Sequence, residues 1–219
     1  MEWRAFDAIY LINLPERADR KRELERELRS VGLQADDPRL VWIRAVRPLE
    51  AGEFPSIGAR GCFLSHLTCL QSASERGYGR VLILEDDACF PRFRVSGLKS
   101  VVGRLNGLNW AVWYGGGRML HEFNVGIDNI EIIPIDSTVD VQTSHCIAFQ
   151  GEAIGSARAF FGTHTDPSGR TSGGWPNACR WCLQYVAGPK SDCYYSCHCT
   201  AGMRSEVFAV GYRDNTLVR

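Results

Sequence analysis

Val81-Leu82-Ile83-Leu84-Glu85-Asp86-Asp87 is the stretch on which the reading of this chain turns. Four apolar residues followed by three carboxylates describe a buried strand that opens into an acidic mouth. Two unit charges 4 Å apart repel by about 1 kcal/mol in water and about 4 kcal/mol at the effective dielectric of a protein surface. In an extended backbone Glu85 and Asp87 share one face and Asp86 takes the other. A divalent cation carrying a phosphorylated substrate relieves such repulsion, because hard metals take oxygen ligands. The plainer alternative is an acidic turn or helix cap solvated by water.

Upstream of this run, Ala8–Ile12 reads as a first buried strand, ended by Asn13-Leu14-Pro15. A helix is predicted from about Arg17 to Val31, with Ala18, Leu24, Leu28 and Val31 as its apolar stripe, a Glu25–Arg29 pair, and Gly32 as its stop. Leu40–Ile43 makes a second strand. Gly58 and Gly61 are expected to precede a second helix from about Cys62 to Glu75, which Gly77-Tyr78-Gly79 breaks. Downstream, Trp110–Tyr114 is a fourth strand ended by a turn at Gly115-Gly116-Gly117. Ile130–Ile135 and Cys146–Phe149 read as further strands, and Glu152 to Phe161 as a helix. Alternating strands and helices predict an α/β domain with a largely parallel central sheet. In such sheets ligands lie beyond the carboxyl ends of the strands, which brings the Asn13–Arg20 loop and the acidic loop to one crevice.

The 219 residues are enough for one substantial domain. Twenty-five basic residues balance 25 acidic ones, so no global field draws nucleic acid or an anionic membrane. No apolar segment approaches the roughly 20 residues of a spanning helix, and the N-terminus lacks a signal-peptide pattern. The expectation is a cytoplasmic protein, with peripheral membrane contact left open.

Three segments resemble the motifs of glycosyltransferase family 25, in order. They are Tyr10-Leu11-Ile12-Asn13-Leu14 with Arg17 and Arg20, Gly61-Cys62-Phe63-Leu64-Ser65-His66-Leu67, and the acidic Leu84-Glu85-Asp86-Asp87. Thr143–Phe149 is similar to a later strand of that family, and the likeness covers roughly residues 6 to 165. The family includes lipopolysaccharide-biosynthesis enzymes and collagen galactosyltransferases. The resemblance implies a GT-A-like single domain over 1–168 and transfer of a hexose, often galactose, from a UDP-sugar to a glycan acceptor such as lipopolysaccharide. It further implies inversion at the anomeric carbon and a manganese or magnesium ion held by Glu85, Asp86 or Asp87, alternation favouring the Glu85/Asp87 pair and GT-A analogy the last aspartate.

For substrate contact the candidates are Asn13, Arg17, Arg20, Ser65 and His66. Each also has an ordinary structural role open to it, as turn former, solvated helix charge or packed polar group. The acceptor hydroxyl needs a base, for which Asp86, His145 and Asp166 are candidates, none of them assigned. Cys62, His66 and Cys69 have the i, i+4, i+7 spacing of one helix face, but without a fourth ligand they make a poor zinc site.

From about Arg170 the resemblance stops, leaving residues 169–219 as a divergent, cysteine-rich tail. Cys179-x-x-Cys182 with Cys193, Cys197, His198 and Cys199 offers zinc ligands at irregular spacing, the basis for reading the tail as a zinc-binding regulatory domain. Alternatively, Gly174–Tyr185 written with permitted codons and read one base later spells Ala-Gly-Pro-Met-His-Val-Asp-Gly-Ala-Tyr-Asn. That run resembles the segment family members carry after this point and suggests a reading-frame change near Arg170 to Gly174, with a catalytically impaired, nucleotide-sugar-binding remnant as its consequence.

Overall fold

The computed structural model describes residues 2–52, 54, 56–90, 95–119, 132–135 and 141–163, with the short strands at 182–184, 196–198 and 206–210. Strand β1 (Ala8–Asn13) leads through helix α1 (Ala18–Ser30) to β2 (Leu40–Arg44). Helix α2 (Ile57–Glu75) then precedes β3 (Arg80–Glu85), and α3 (Val95–Leu105) precedes β4 (Trp110–Met119). After β5 (Ile132–Ile135) and β6 (Val141–Gln150) comes α4 (Glu152–Thr163), followed by β7 (Cys182–Gln184), β8 (Ser196–His198) and β9 (Glu206–Val210).

The main sheet has the order β2-β1-β3-β6-β4-β9-β5. β1 pairs in parallel with β2 and with β3, as expected. The largely parallel sheet is corrected further out. β6 inserts antiparallel between β3 and β4, and β5 pairs antiparallel with β9, so the sheet is mixed. A strand's apolar run records burial but not direction, which is why the sequence concealed this.

Both faces of the sheet are covered, and this accounts for the unbroken apolar runs of β1 and β3. Ile9, Leu11, Leu82 and Leu84 pack with Leu24 and Leu28 of α1, with Val31 just past its end, and with Leu98, Val101 and Val102 of α3. On the opposite face Tyr10, Ile12, Val81 and Ile83 meet Cys69, Leu70 and Ala73 of α2 and Ala153, Ile154 and Ala157 of α4. Each of the Val, Leu and Ile side chains contributes about 1.5 to 3 kcal/mol when fully buried.

Several local expectations are revised. Ala18 is exposed and lies outside the buried stripe of α1. The charged pair on that helix is Arg26 with Glu23, 3.8 Å apart. Gly32, at φ 87°, does stop the helix. Gly58 and Gly61 lie inside α2, which starts earlier because Ser56 caps it by accepting the Ala59 N–H at 3.0 Å. Gly61 is there for closeness, since a Cβ on it would meet the Val46 carbonyl oxygen at 2.6 Å. The Gly115–Gly117 turn is instead part of β4, which continues through register shifts beside β6. A Cβ on Gly115 would collide with the Cys146 sulfur. Helix α3 was not anticipated at all.

Candidate functional site

β1 and β3 run side by side, so their carboxyl ends present Asn13 and Glu85 to the same edge of the sheet. A cleft of about 480 Å³ opens there, its lining including Asn13, Arg17, Cys62, Ser65, Glu85 and Asp86. The expected crevice is therefore present, and residues far apart in sequence close it.

The strand ends at Glu85, and Asp86 and Asp87 form a turn. Alternation therefore no longer governs the three carboxylates, and each finds its own surroundings. Asp86 accepts the Asn13 amide at 2.9 Å through one oxygen and the Arg20 guanidinium at 3.1 Å through the other. Asn13, only 7% exposed, spends its other amide hydrogen on the Arg17 carbonyl at 3.2 Å, which sets the entry of α1. Arg20 also lies 3.8 Å from Asp87.

Glu85 turns into a polar nest. Its Oε1 lies 3.1 Å from His66 Nε2, 2.7 Å from Ser144 Oγ and 3.5 Å from Cys62 Sγ. Facing a carboxylate, Nε2 of His66 carries the hydrogen in this arrangement. Burial by itself raises the Glu85 carboxyl, but the His66 hydrogen bond and charge, the Ser144 hydroxyl and the charge of His145 outweigh it. The net result is a carboxyl held at about 2. Asp87 behaves oppositely. Burial and the negative charges of Glu85 and Asp86 raise it, against weaker lowering by His145 and Arg20. Its side chain is 56% exposed, and it carries the least neutralised negative charge of the three. A hard cation matches that donor set, with oxygen ligands and excess charge at one turn.

The remaining candidates have definite places. Arg17 forms an exposed ion pair with Asp19 at 2.8 Å while lining the cleft. Ser65 is fully buried, donating to the Gly61 carbonyl at 2.6 Å and accepting the Val46 N–H at 2.8 Å, and so ties the cleft wall to α2. His66 is buried against Glu85. His145 is half-buried on β6, close enough to influence both Glu85 and Asp87. Asp166 lies outside the described residues, as do Cys179, Cys193, Cys199 and the boundary at 168/169. Cys182 stands opposite His198 in the β7–β8 pairing.

Sequence reasoning missed Ser144 and the role of Cys62. Ser144 lies two residues before Cys146, which pairs with Leu84 across the β3–β6 ladder, and only that antiparallel pairing brings it to Glu85. Cys69, the third member of the helical triplet, is buried in the core on the α2 face of the sheet. Among the described residues Cys62, His66 and Glu85 form a group whose ligand atoms all lie within 4.8 Å of one another.

No family model matches the chain. Curated proteins do, two of them as follows. A glycosyltransferase 25 family member of Drosophila melanogaster is 28% identical over 146 residues, covering 58% of this chain and 24% of that protein. The human inactive glycosyltransferase 25 family member 3 is 31% identical over 101 residues, covering 39% of this chain and 17% of its own length. The matched stretch thus spans about a quarter or less of these relatives. Within it, the chain is similar to glycosyltransferase 25 family members, as its three motifs suggested.

Proposed function

We propose that this chain is a glycosyltransferase of GT-A-like architecture that moves a hexose, galactose first among the candidates, from a UDP-sugar to a glycan acceptor such as lipopolysaccharide. The observation that carries the reading is the meeting of Asn13, Glu85 and Asp86 at one cleft, with Arg20 bonded to Asp86 behind it, in a chain similar to glycosyltransferase 25 family members. Transfer with inversion passes through an oxocarbenium-like state while the diphosphate leaves with growing negative charge. Manganese or magnesium, held by Asp87 with Glu85 or Asp86, supplies positive charge to that leaving group. Asn13 and Arg20 fix the turn, and Arg17, which lines the cleft while paired with Asp19, offers its guanidinium to the nucleotide phosphates. The acceptor proton goes to one of Asp86, His145 or Asp166. A cytoplasmic location with peripheral contact at an acceptor-bearing membrane completes the reading. It is compatible with the lack, among the described residues, of a helix long and apolar enough to cross a membrane.

The test is UDP release from UDP-galactose with manganese and a panel of glycan acceptors. A second reading, a protein that binds the sugar nucleotide without turnover, is favoured by one observation: a human relative is named inactive. UDP binding without release, with every acceptor tried, selects that reading. The frame of the tail is decided by the coding DNA, since codons unable to spell the late motif in the next frame exclude the shift.

A further inference from the structure

Cys62 and His66 lie one turn apart on α2, and Glu85 ends β3 directly against them. The geometry points to a zinc site formed by Cys62 Sγ, His66 Nε2 and Glu85 Oε1, which overlaps the oxygen-only set of the acidic turn at Glu85 alone. A tetrahedral zinc ion with bonds of about 2.3 Å to sulfur and about 2.1 Å to nitrogen and oxygen places sulfur and oxygen about 3.6 Å apart, and nitrogen and oxygen about 3.4 Å apart. The observed separations are 3.5 Å and 3.1 Å. Two of the three ligand–ligand separations therefore already approach those of the required tetrahedron, and the third, Cys62 Sγ to His66 Nε2, is no more than 4.8 Å.

The donor chemistry selects the metal. One thiolate and one imidazole favour zinc over manganese or magnesium, which prefer carboxylates and water. Cys62 and Glu85 both line the cleft, so an ion can enter from it and the fourth position can face it. Ser144 Oγ, 2.7 Å from Glu85 Oε1 and 3.9 Å from Cys62 Sγ, supports the carboxylate from outside the triad. Binding exchanges the Cys62 S–H proton and the Nε2 hydrogen for the metal bond, the imidazole proton moving to Nδ1 or to solvent. The site shares Glu85 with the acidic turn, so bound zinc withdraws that carboxylate from any manganese there. The inference needs no sugar nucleotide and stands or falls separately from the proposed activity.

The experiment uses the full chain under reducing conditions, first stripped of metal and then titrated with zinc alone, with cobalt(II) as a spectroscopic stand-in. Alkylation is mapped by mass spectrometry at each cysteine. The expected results are a thiolate-to-cobalt charge-transfer band and alkylation of Cys62 slowed at least about tenfold by one equivalent of zinc. Cys62→Ser and His66→Gln should each weaken zinc by more than about 100-fold. The paired Cys179→Ser/Cys182→Ser variant should keep full affinity. Unprotected Cys62 in the zinc-loaded wild-type chain overturns the inference, whatever the variants do. Zinc lost only with the tail cysteines overturns it equally and assigns the metal to the tail.

Discussion

Asn13 donates its amide to Asp86 across 2.9 Å and so joins two loops whose anchoring residues are 73 positions apart in sequence. β1 and β3 are adjacent and parallel, which puts both residues at one sheet edge. Arg20, one turn into α1, completes the clamp on the other Asp86 oxygen. The acidic turn is therefore held from the β1–α1 side before any ligand arrives.

Replacing Asn13 with Ala removes the Asp86 bond and the bond to the Arg17 carbonyl together. The expected cost is about 1 to 3 kcal/mol, since partly buried acceptors lose their partner. Urea unfolding of the two proteins measures it. An unchanged midpoint would show that the clamp contributes nothing to the fold.

The Glu85 carboxyl is held at about 2, well below its ordinary 4.5. A depressed acid contributes stability that is complete above its unfolded value and is lost as pH falls through the folded one. The window therefore runs from about pH 5 down to about pH 2, and the contribution is on the order of 2 to 3 kcal/mol. In metal-free protein, the melting temperature of the wild type should fall more steeply across that window than that of Glu85→Gln. Parallel curves would remove the His66 and Ser144 network from the stability account.

Gly61→Ala places a methyl group 2.6 Å from the Val46 carbonyl oxygen, a backbone atom that has no rotamer by which to yield. α2 must then shift from the cleft wall, at a cost of about 1 to 3 kcal/mol. Thermal unfolding reads this directly. Gly103→Ala, where a Cβ meets nothing within 4 Å, serves as the control and should be neutral or slightly stabilising.

The parts of this protein that were legible in its sequence share a cause. β1 and β3 are buried on both faces, so their apolar runs are continuous, and the clustering of Asn13, Arg20 and the acidic turn follows from their parallel adjacency. What stayed hidden is tertiary. The direction of β6 leaves no mark on its composition, and it alone carries Ser144 to Glu85. Helix α3 is rich in Val, Gly and Ser, poor helix formers, although Leu98, Val101, Val102 and Leu105 keep helical spacing. Cys62 and His66 announced a helical pair, yet their partner proved to be Glu85 and not Cys69, because Cys69 faces the core.

Asp87→Ala tests the central claim most directly, because the side chain is 56% exposed and belongs to neither hydrophobic core cluster. The measurement is calorimetric titration of UDP into wild type and variant, with and without manganese. The account predicts that manganese tightens UDP binding to the wild type by at least about tenfold, roughly 1.4 kcal/mol, and that the variant loses this gain. Equal manganese-assisted binding by both proteins would contradict it.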